Sequence, residues 1–119
     1  NFTDYFLKLN IFTQLKELDL SINRLEYFNY SFISSIEYLN LSYNSLKFLS
    51  GNLFGSNFAI GSKFDISNNK IGDFQISFHK KIDIYLTQLN ISNNFLTRFI
   101  FRDIYKLSQM SDLDLSLNN

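Results

Sequence analysis

The sequence predicts an α/β-type solenoid, a stack of short repeats whose strands lie side by side in one parallel sheet. The first observation is a motif of eleven residues, L-x-x-L-x-L-x-x-N-x-L, that recurs along the chain with few changes. The second is its spacing, because the motif asparagines follow one another at steps of 21, 25, 25 and 24 residues. The third is a Phe-rich segment after the motif. The motif asparagines are Asn23, Asn44, Asn69, Asn94 and Asn118.

The motif organises residues 1–119 as a single array of repeats. A partial repeat is expected at 1–14, and further repeats start near residues 15, 36, 61, 86 and 110, the last of them truncated. Solenoids usually shield their two ends with polar capping repeats, and neither end of this chain has one. We therefore expect an interior fragment of a larger protein.

Each repeat should contribute one short strand. Side chains alternate around the L-x-L core of the motif, so the leucines share one face and the x residues the other. Successive strands should lie about 4.8 Å apart. The motif asparagine should turn the chain out of the strand and bond backbone groups of its own and the neighbouring repeat. The strands are predicted at about 17–21, 38–42, 63–67, 88–92 and 112–116.

The Phe-rich segments are predicted to form an irregular convex side. Their regular spacing favours aromatic rings stacked in the core over rings exposed on a binding surface. The predicted aromatic core comprises Phe28, Phe32, Phe48, Phe54, Phe74, Phe78 and Phe99.

Five motifs in register, each with its asparagine, resemble the leucine-rich repeat family over essentially the whole chain. Repeats of 24 to 25 residues with a Phe in the second half look like the "typical" subclass, known from Toll-like receptors and extracellular adhesion proteins. The resemblance implies a horseshoe segment with a concave parallel sheet of about five short strands. It also implies a non-catalytic protein-binding module of an extracellular receptor or adhesion protein of innate-immune type.

The composition argues against catalysis, metals and nucleic acid. The chain has one histidine, His79, and no cysteine. These residues cannot form a nitrogen–sulfur metal site or a catalytic constellation, so no enzyme activity and no cofactor are expected. Lys plus Arg and Asp plus Glu both number 11 without a long basic run, so nucleic acid is not an expected partner. No apolar stretch approaches the roughly 18 residues of a membrane span, so this segment should not contact a membrane.

The x positions of the strands form the candidate binding face. One row across the sheet alternates Asp and Asn, which keeps its carboxylates about 10 Å apart, wider than the pairs of glycosidases. Two tyrosines add apolar area with a polar tip, as interface hot spots do. Carboxylates outnumber lysines, so a polar or basic protein surface is the expected ligand, and homo- or hetero-oligomers remain open. The candidate residues are Glu17, Asp19, Glu37, Tyr38, Asn40, Tyr43, Lys63, Asp65, Gln88, Asn90, Asp112 and Asp114.

Four Asn-x-Ser/Thr sequences are candidate N-glycosylation sites: Asn1, Asn29, Asn40 and Asn90. Glycans at the last two would cover the binding face, so Asn29 is the better-placed acceptor. Glycosylation would accompany an extracellular or cell-surface location, and the alternative location is cytoplasmic.

Two further functions remain open. One is an intracellular scaffold or regulatory subunit, and the other is a structural protein that self-assembles through heterologous end contacts. Glycan occupancy separates the extracellular module from the intracellular one, and concentration-dependent polymerisation would identify the third.

Overall fold

The computed structural model describes residues 14–28, 36–49, 62–76, 86–101 and 108–119. Within these ranges the chain forms seven short strands and no helix. Five of the strands coincide with the L-x-L cores of the five motifs, and two follow a motif. The strands are β1 (Glu17–Asp19), β2 (Tyr38–Asn40), β3 (Ser62–Asp65), β4 (Asp73–Ile76), β5 (Leu86–Asn90), β6 (Arg98–Phe101) and β7 (Asp112–Asp114).

The motif strands pair in parallel in the order β1-β2-β3-β5-β7. Each strand therefore lies beside the strand of the next repeat, as a solenoid requires. The pairing keeps equivalent motif positions opposite one another, with one register shift between Ser62 and Lys63. The predicted parallel sheet of five strands is confirmed. Its central row is Leu18, Leu39, Phe64, Leu89 and Leu113.

All five motif strands end two residues earlier than predicted. Backbone pairing nevertheless continues past the strand ends, because Leu41 N–H donates to Asp65 O at 2.8 Å and Tyr43 N–H to Ser67 O at 3.1 Å. The strands are shortened by an acidic or amide side chain at their last position. Asp65 Oδ1, for example, accepts the N–H of Ser67 at 2.9 Å and so bends the chain there.

The leucines and isoleucines of the motif form the core. The second apolar residue of the strand segment is fully enclosed at Leu41, Ile66 and Ile91. Leu46 and Ile71, two residues beyond the asparagine, are enclosed as well. These rows stack from repeat to repeat, so the core is a continuous column.

The Phe-rich segments show more regular structure than expected. β4 and β6 pair in parallel as a separate two-stranded sheet, with Phe74 opposite Phe99. The two rings stack with centroids 5.8 Å apart and planes 11° from parallel. Phe28 and Phe74 are buried, as the aromatic-core prediction requires, and Phe99 is partly buried.

The prediction was wrong for Phe48, whose side chain is 48% exposed. Counting from the apolar residue that follows each asparagine, Leu49 occupies the position of Phe28 and Phe74. Phe48 therefore lies one residue before the inward position and contacts Tyr27 edge-on, with ring centroids 5.1 Å apart. Phe32, Phe54 and Phe78 lie outside the described residues.

Candidate binding face of the parallel sheet

The x positions of the five motif strands form two outward rows, which together we call the sheet face. All ten side chains are exposed or partly exposed. The first row, before the central leucine, is Glu17, Tyr38, Lys63, Gln88 and Asp112. The second row, after it, is Asp19, Asn40, Asp65, Asn90 and Asp114.

Each member of the second row is held by the serine two residues later. Asn40 Oδ1 accepts both the backbone N–H and the hydroxyl of Ser42, at 3.0 and 2.7 Å. Asn90 makes the same two bonds to Ser92, at 3.0 and 2.7 Å. These bonds fix the side chains at the ends of the strands and leave their second polar atom for a neighbour.

The second row is also bonded across the sheet. Asn40 Nδ2 donates to Asp19 Oδ2 at 3.2 Å, and Asn90 Nδ2 donates to Asp65 Oδ2 at 3.3 Å. An amide between two carboxylates supplies a donor and separates like charges on neighbouring strands. The alternation of Asp and Asn is therefore a structural pattern that keeps three carboxylates on one face.

Hydrogen bonds keep the terminal carboxylates of this row ionised. The Ser21 hydroxyl and then its backbone N–H lower the pKa of Asp19, and the Asn40 amide adds to the effect. Asp114 has a lowered pKa for the same reason, through the hydroxyl and N–H of Ser116. Both side chains are therefore negatively charged at neutral pH.

Tyr38 is the one aromatic side chain of the two rows, and its strand lies between β1 and β3, which carry Asp19 and Asp65. Partial burial raises the pKa of its phenol, and the nearby charges of Asp19 and Asp65 raise it further. The phenol is therefore protonated at neutral pH and available as a hydrogen-bond donor. Its ring offers apolar contact area within a polar surface.

A depression of about 450 Å³ lies over the part of the face formed by β2, β3, β5 and β7. Its polar lining comes from both rows, and Gln88 Nε2 donates to Asp112 Oδ2 at 3.0 Å along its edge. The face carries five carboxylates, two in the first row and three in the second, and one lysine. It is therefore a strongly acidic surface on a chain with no net charge.

Two of the twelve predicted binding residues lie apart from the sheet face. Glu37 precedes β2 and forms an ion pair with Lys16, with 2.9 Å between Oε1 and Nζ. Tyr43 lies beyond the strand, immediately before the motif asparagine, and is 59% exposed. The other ten are the ten residues of the two rows.

The motif asparagines form a ladder behind the strand ends. Asn69 Nδ2 donates to Ile66 O and Ser67 O of its own repeat, both at 3.1 Å, and to Leu41 O of the preceding repeat at 3.0 Å. Its Oδ1 accepts the N–H of Leu46 at 2.9 Å. The same four bonds recur at Asn44, Asn94 and Asn118. Asn23 is exposed and donates to Leu20 O and Ser21 O.

A family model described as "Leucine Rich Repeat" matches residues 35–58 and 85–107. These two segments are leucine-rich repeats. The two matches cover the second and fourth motifs, and the equivalent bonds of the asparagine ladder extend the pattern to the third and fifth. Leucine-rich repeats generally mediate protein–protein interaction and are typically non-catalytic. No curated protein and no solved structure gives a match to this chain.

Sequence reasoning missed one feature of these repeats, a left-handed residue before each motif asparagine. The φ angles at this position lie between 52° and 55° in all five motifs. Two of the five residues are asparagines, which tolerate this conformation better than other non-glycine residues, and that was the available signal. The five residues are Ile22, Tyr43, Asn68, Asn93 and Leu117.

The glycosylation candidates on the face are engaged in hydrogen bonds. The Nδ2 atoms of Asn40 and Asn90, to which a glycan would be joined, donate to Asp19 and Asp65. A glycan at either site would cover the sheet face and remove one of these bonds. Asn1 and Asn29 lie outside the described residues.

The described ranges hold neither a candidate metal site nor a candidate membrane span. They contain no group of three His, Cys, Asp or Glu side chains arranged to hold a metal ion. They also contain no helix long and apolar enough to span a bilayer. His79 lies outside them.

Proposed function

We propose that these repeats are a protein-recognition module of an extracellular receptor or adhesion protein of innate-immune type, and that the sheet face binds the partner. The observation that carries the proposal is the depression over the face, with Tyr38 at one side and acidic and amide groups along it. Solenoids commonly bind partners through an extended sheet surface of this kind.

The charge of the face indicates the partner's chemistry. Five carboxylates against one lysine favour a basic surface, which would be attracted over a distance of about one Debye length, near 8 Å at physiological salt. Binding should therefore weaken as salt concentration rises. Tyr38 supplies the apolar contact area that charge alone does not.

The side chains of the second row are preorganised by hydrogen bonds. The serine bonds and the cross-strand amide bonds hold the second row before a partner arrives, so fewer side chains lose freedom on association. A rigid acidic row beside an aromatic side chain is suited to protein recognition.

The extracellular assignment and the "typical" subclass are supported by the spacing, since the steps between the last four asparagines are 25, 25 and 24 residues and a Phe follows most motifs. Intact mass of the natively purified protein, before and after enzymatic removal of N-glycans, tests the location. A decrease on deglycosylation is the expected result. An unchanged mass would favour the intracellular alternative.

Tyr38→Ala tests the face, with Tyr27→Ala as the matched control because Tyr27 is 52% exposed outside the sheet face. Immobilised wild-type and variant chains are compared for the cell-surface and secreted proteins that they retain. At least one protein should lose binding to Tyr38→Ala, keep binding to Tyr27→Ala, and elute as salt is raised. If every retained protein binds all three chains equally, the sheet face is not the binding surface.

A further inference from the structure

A second surface feature lies beside the turns that follow β1 and β2. It is a mostly apolar hollow of about 550 Å³, lined by Ile22, Asn23, Arg24, Leu25 and Tyr43, which we call the exit-turn hollow. Ile22 N–H donates to Ser42 O at 3.0 Å, and Asn23 N–H to Tyr43 O at 3.2 Å, so the two turns are held side by side. A hollow of this size can enclose one or two side chains of a partner.

The apolar residues of the hollow occupy unfavourable backbone positions. Ile22 and Tyr43 have φ angles of 55° and 54°, in the left-handed region that L side chains avoid. Ile22 is β-branched, for which this conformation is a true outlier. Their side chains gain little packing in return, because Ile22 is 80% exposed and Tyr43 is 59% exposed.

The middle repeats show what the turn itself requires. Asn68 and Asn93 occupy the equivalent position, and Asn93 Nδ2 donates to Asn68 Oδ1 at 2.6 Å. Asparagine thus serves the turn with less strain and adds a bond between repeats. Leu117 is a third exposed apolar residue at this position, but it does not line the hollow. Ile22 and Tyr43 differ from it because they lie on adjacent repeats and their side chains line one shared hollow.

Arg24 gives the hollow its charge. Its side chain is exposed, and it forms no ion pair with any other residue of the described ranges. The next repeat has Ser45 at the same position, so the fold does not need a cation there. A guanidinium beside an apolar hollow matches a ligand in which a carboxylate is next to an apolar side chain.

We propose that the exit-turn hollow is a second binding site, which takes an apolar side chain flanked by a carboxylate from an acidic segment of a partner protein. This site has the opposite charge preference to the sheet face, so one partner segment does not serve both. The apolar side chain fills the space between Ile22 and Tyr43, and the carboxylate pairs with Arg24.

The test is a titration of the ¹⁵N-labelled 119-residue chain, followed by amide chemical shifts, with two peptides of equal length. The acidic probe is acetyl-Glu-Leu-Phe-Glu-amide, and the basic control is acetyl-Lys-Leu-Phe-Lys-amide. We expect the acidic probe to shift the amides of residues 22–25 and 43 saturably, with a Kd at least tenfold below that of the control. Arg24→Ser, which copies Ser45, should raise the Kd at least tenfold without shifting distant amides.

Ile22→Asn separates a binding role from a structural one. Because it installs the residue of the middle repeats, it should raise the melting temperature and yet weaken binding of the acidic probe at least fivefold. Equal shifts with both peptides, shifts confined to the sheet face, or unchanged affinity in both variants would overturn the proposal. None of these results bears on the Tyr38 test of the sheet face.

Discussion

Replacing Asn69 by alanine tests the asparagine ladder where it is most enclosed. The amide of Asn69 makes four hydrogen bonds, but they are not equally important. Leu41 O still accepts from Asn44 Nδ2 at 3.0 Å, and Ile66 O still accepts from Asn94 Nδ2 at 3.1 Å. The neighbouring asparagines therefore satisfy two of the three carbonyl groups that Asn69 bonds.

The third carbonyl is also satisfied, because Ser67 O accepts the N–H of Tyr43 at 3.1 Å. The N–H of Leu46 is different, since Asn69 Oδ1, at 2.9 Å, is its acceptor and the site is buried. A buried donor left without a partner costs about 1–3 kcal/mol. Each of the three carbonyl groups also loses one of its two donors. We therefore expect Asn69→Ala to lower the free energy of unfolding by about 2–3 kcal/mol.

Asn23→Ala is the matched control, because it removes the same side chain from the same motif position at an exposed site. Its cost should be below about 1 kcal/mol, since water can replace the lost bonds. Urea unfolding followed by circular dichroism measures both variants. If Asn69→Ala costs no more than Asn23→Ala, the explanation from the orphaned N–H of Leu46 is refuted.

Three further predictions address other parts of the structure. Asn40→Asp would put three carboxylates on adjacent strands, so it should destabilise the fold by about 1 kcal/mol at pH 7. The repulsion raises the carboxylate pKa values in the folded state, so most of this loss should disappear by pH 3, and urea unfolding at both pH values checks it. Phe74→Ala should cost about 3–5 kcal/mol, whereas Phe48→Ala should cost less than about 1 kcal/mol, as measured by thermal unfolding. Ile22→Asn should stabilise the fold by about 1 kcal/mol through relief of left-handed strain, which calorimetry would detect.

The repeat motif predicted the sheet well because it has a simple physical basis. Alternation around Leu39 and Leu89 fixes which face is buried, and a one-residue error would invert it. The motif asparagine, such as Asn94, stands at the same distance from the strand in every repeat. Aligning one pair of repeats correctly therefore aligns all of them. Strand order and register follow from that alignment.

The missed features depend on geometry that the motif does not encode. An aromatic residue points inward when it lies three residues after the apolar residue that ends the motif, as Phe28 and Phe74 do. Phe48 was assigned to the core because it is a phenylalanine, although it lies one residue before that position. Backbone handedness at Ile22 depends on the turn as a whole, since its own side chain disfavours the conformation. The exit-turn hollow forms where the turns of two neighbouring repeats lie side by side. The sequence of a single repeat does not reveal it.

The sheet face as the binding surface can be tested most directly by photo-crosslinking at two matched positions. Lys63 lies in the first row of the face, and Lys47, also exposed, lies outside it and pairs with Glu26 at 3.6 Å. The photoreactive residue p-benzoylphenylalanine replaces one lysine at a time, and both chains are irradiated with the same cell-surface protein fraction. We predict a discrete crosslinked protein at position 63 that is lost in Tyr38→Ala and absent at position 47. Equal crosslinking at both positions, or crosslinking at position 47 alone, would contradict the assignment of the sheet face as the recognition surface.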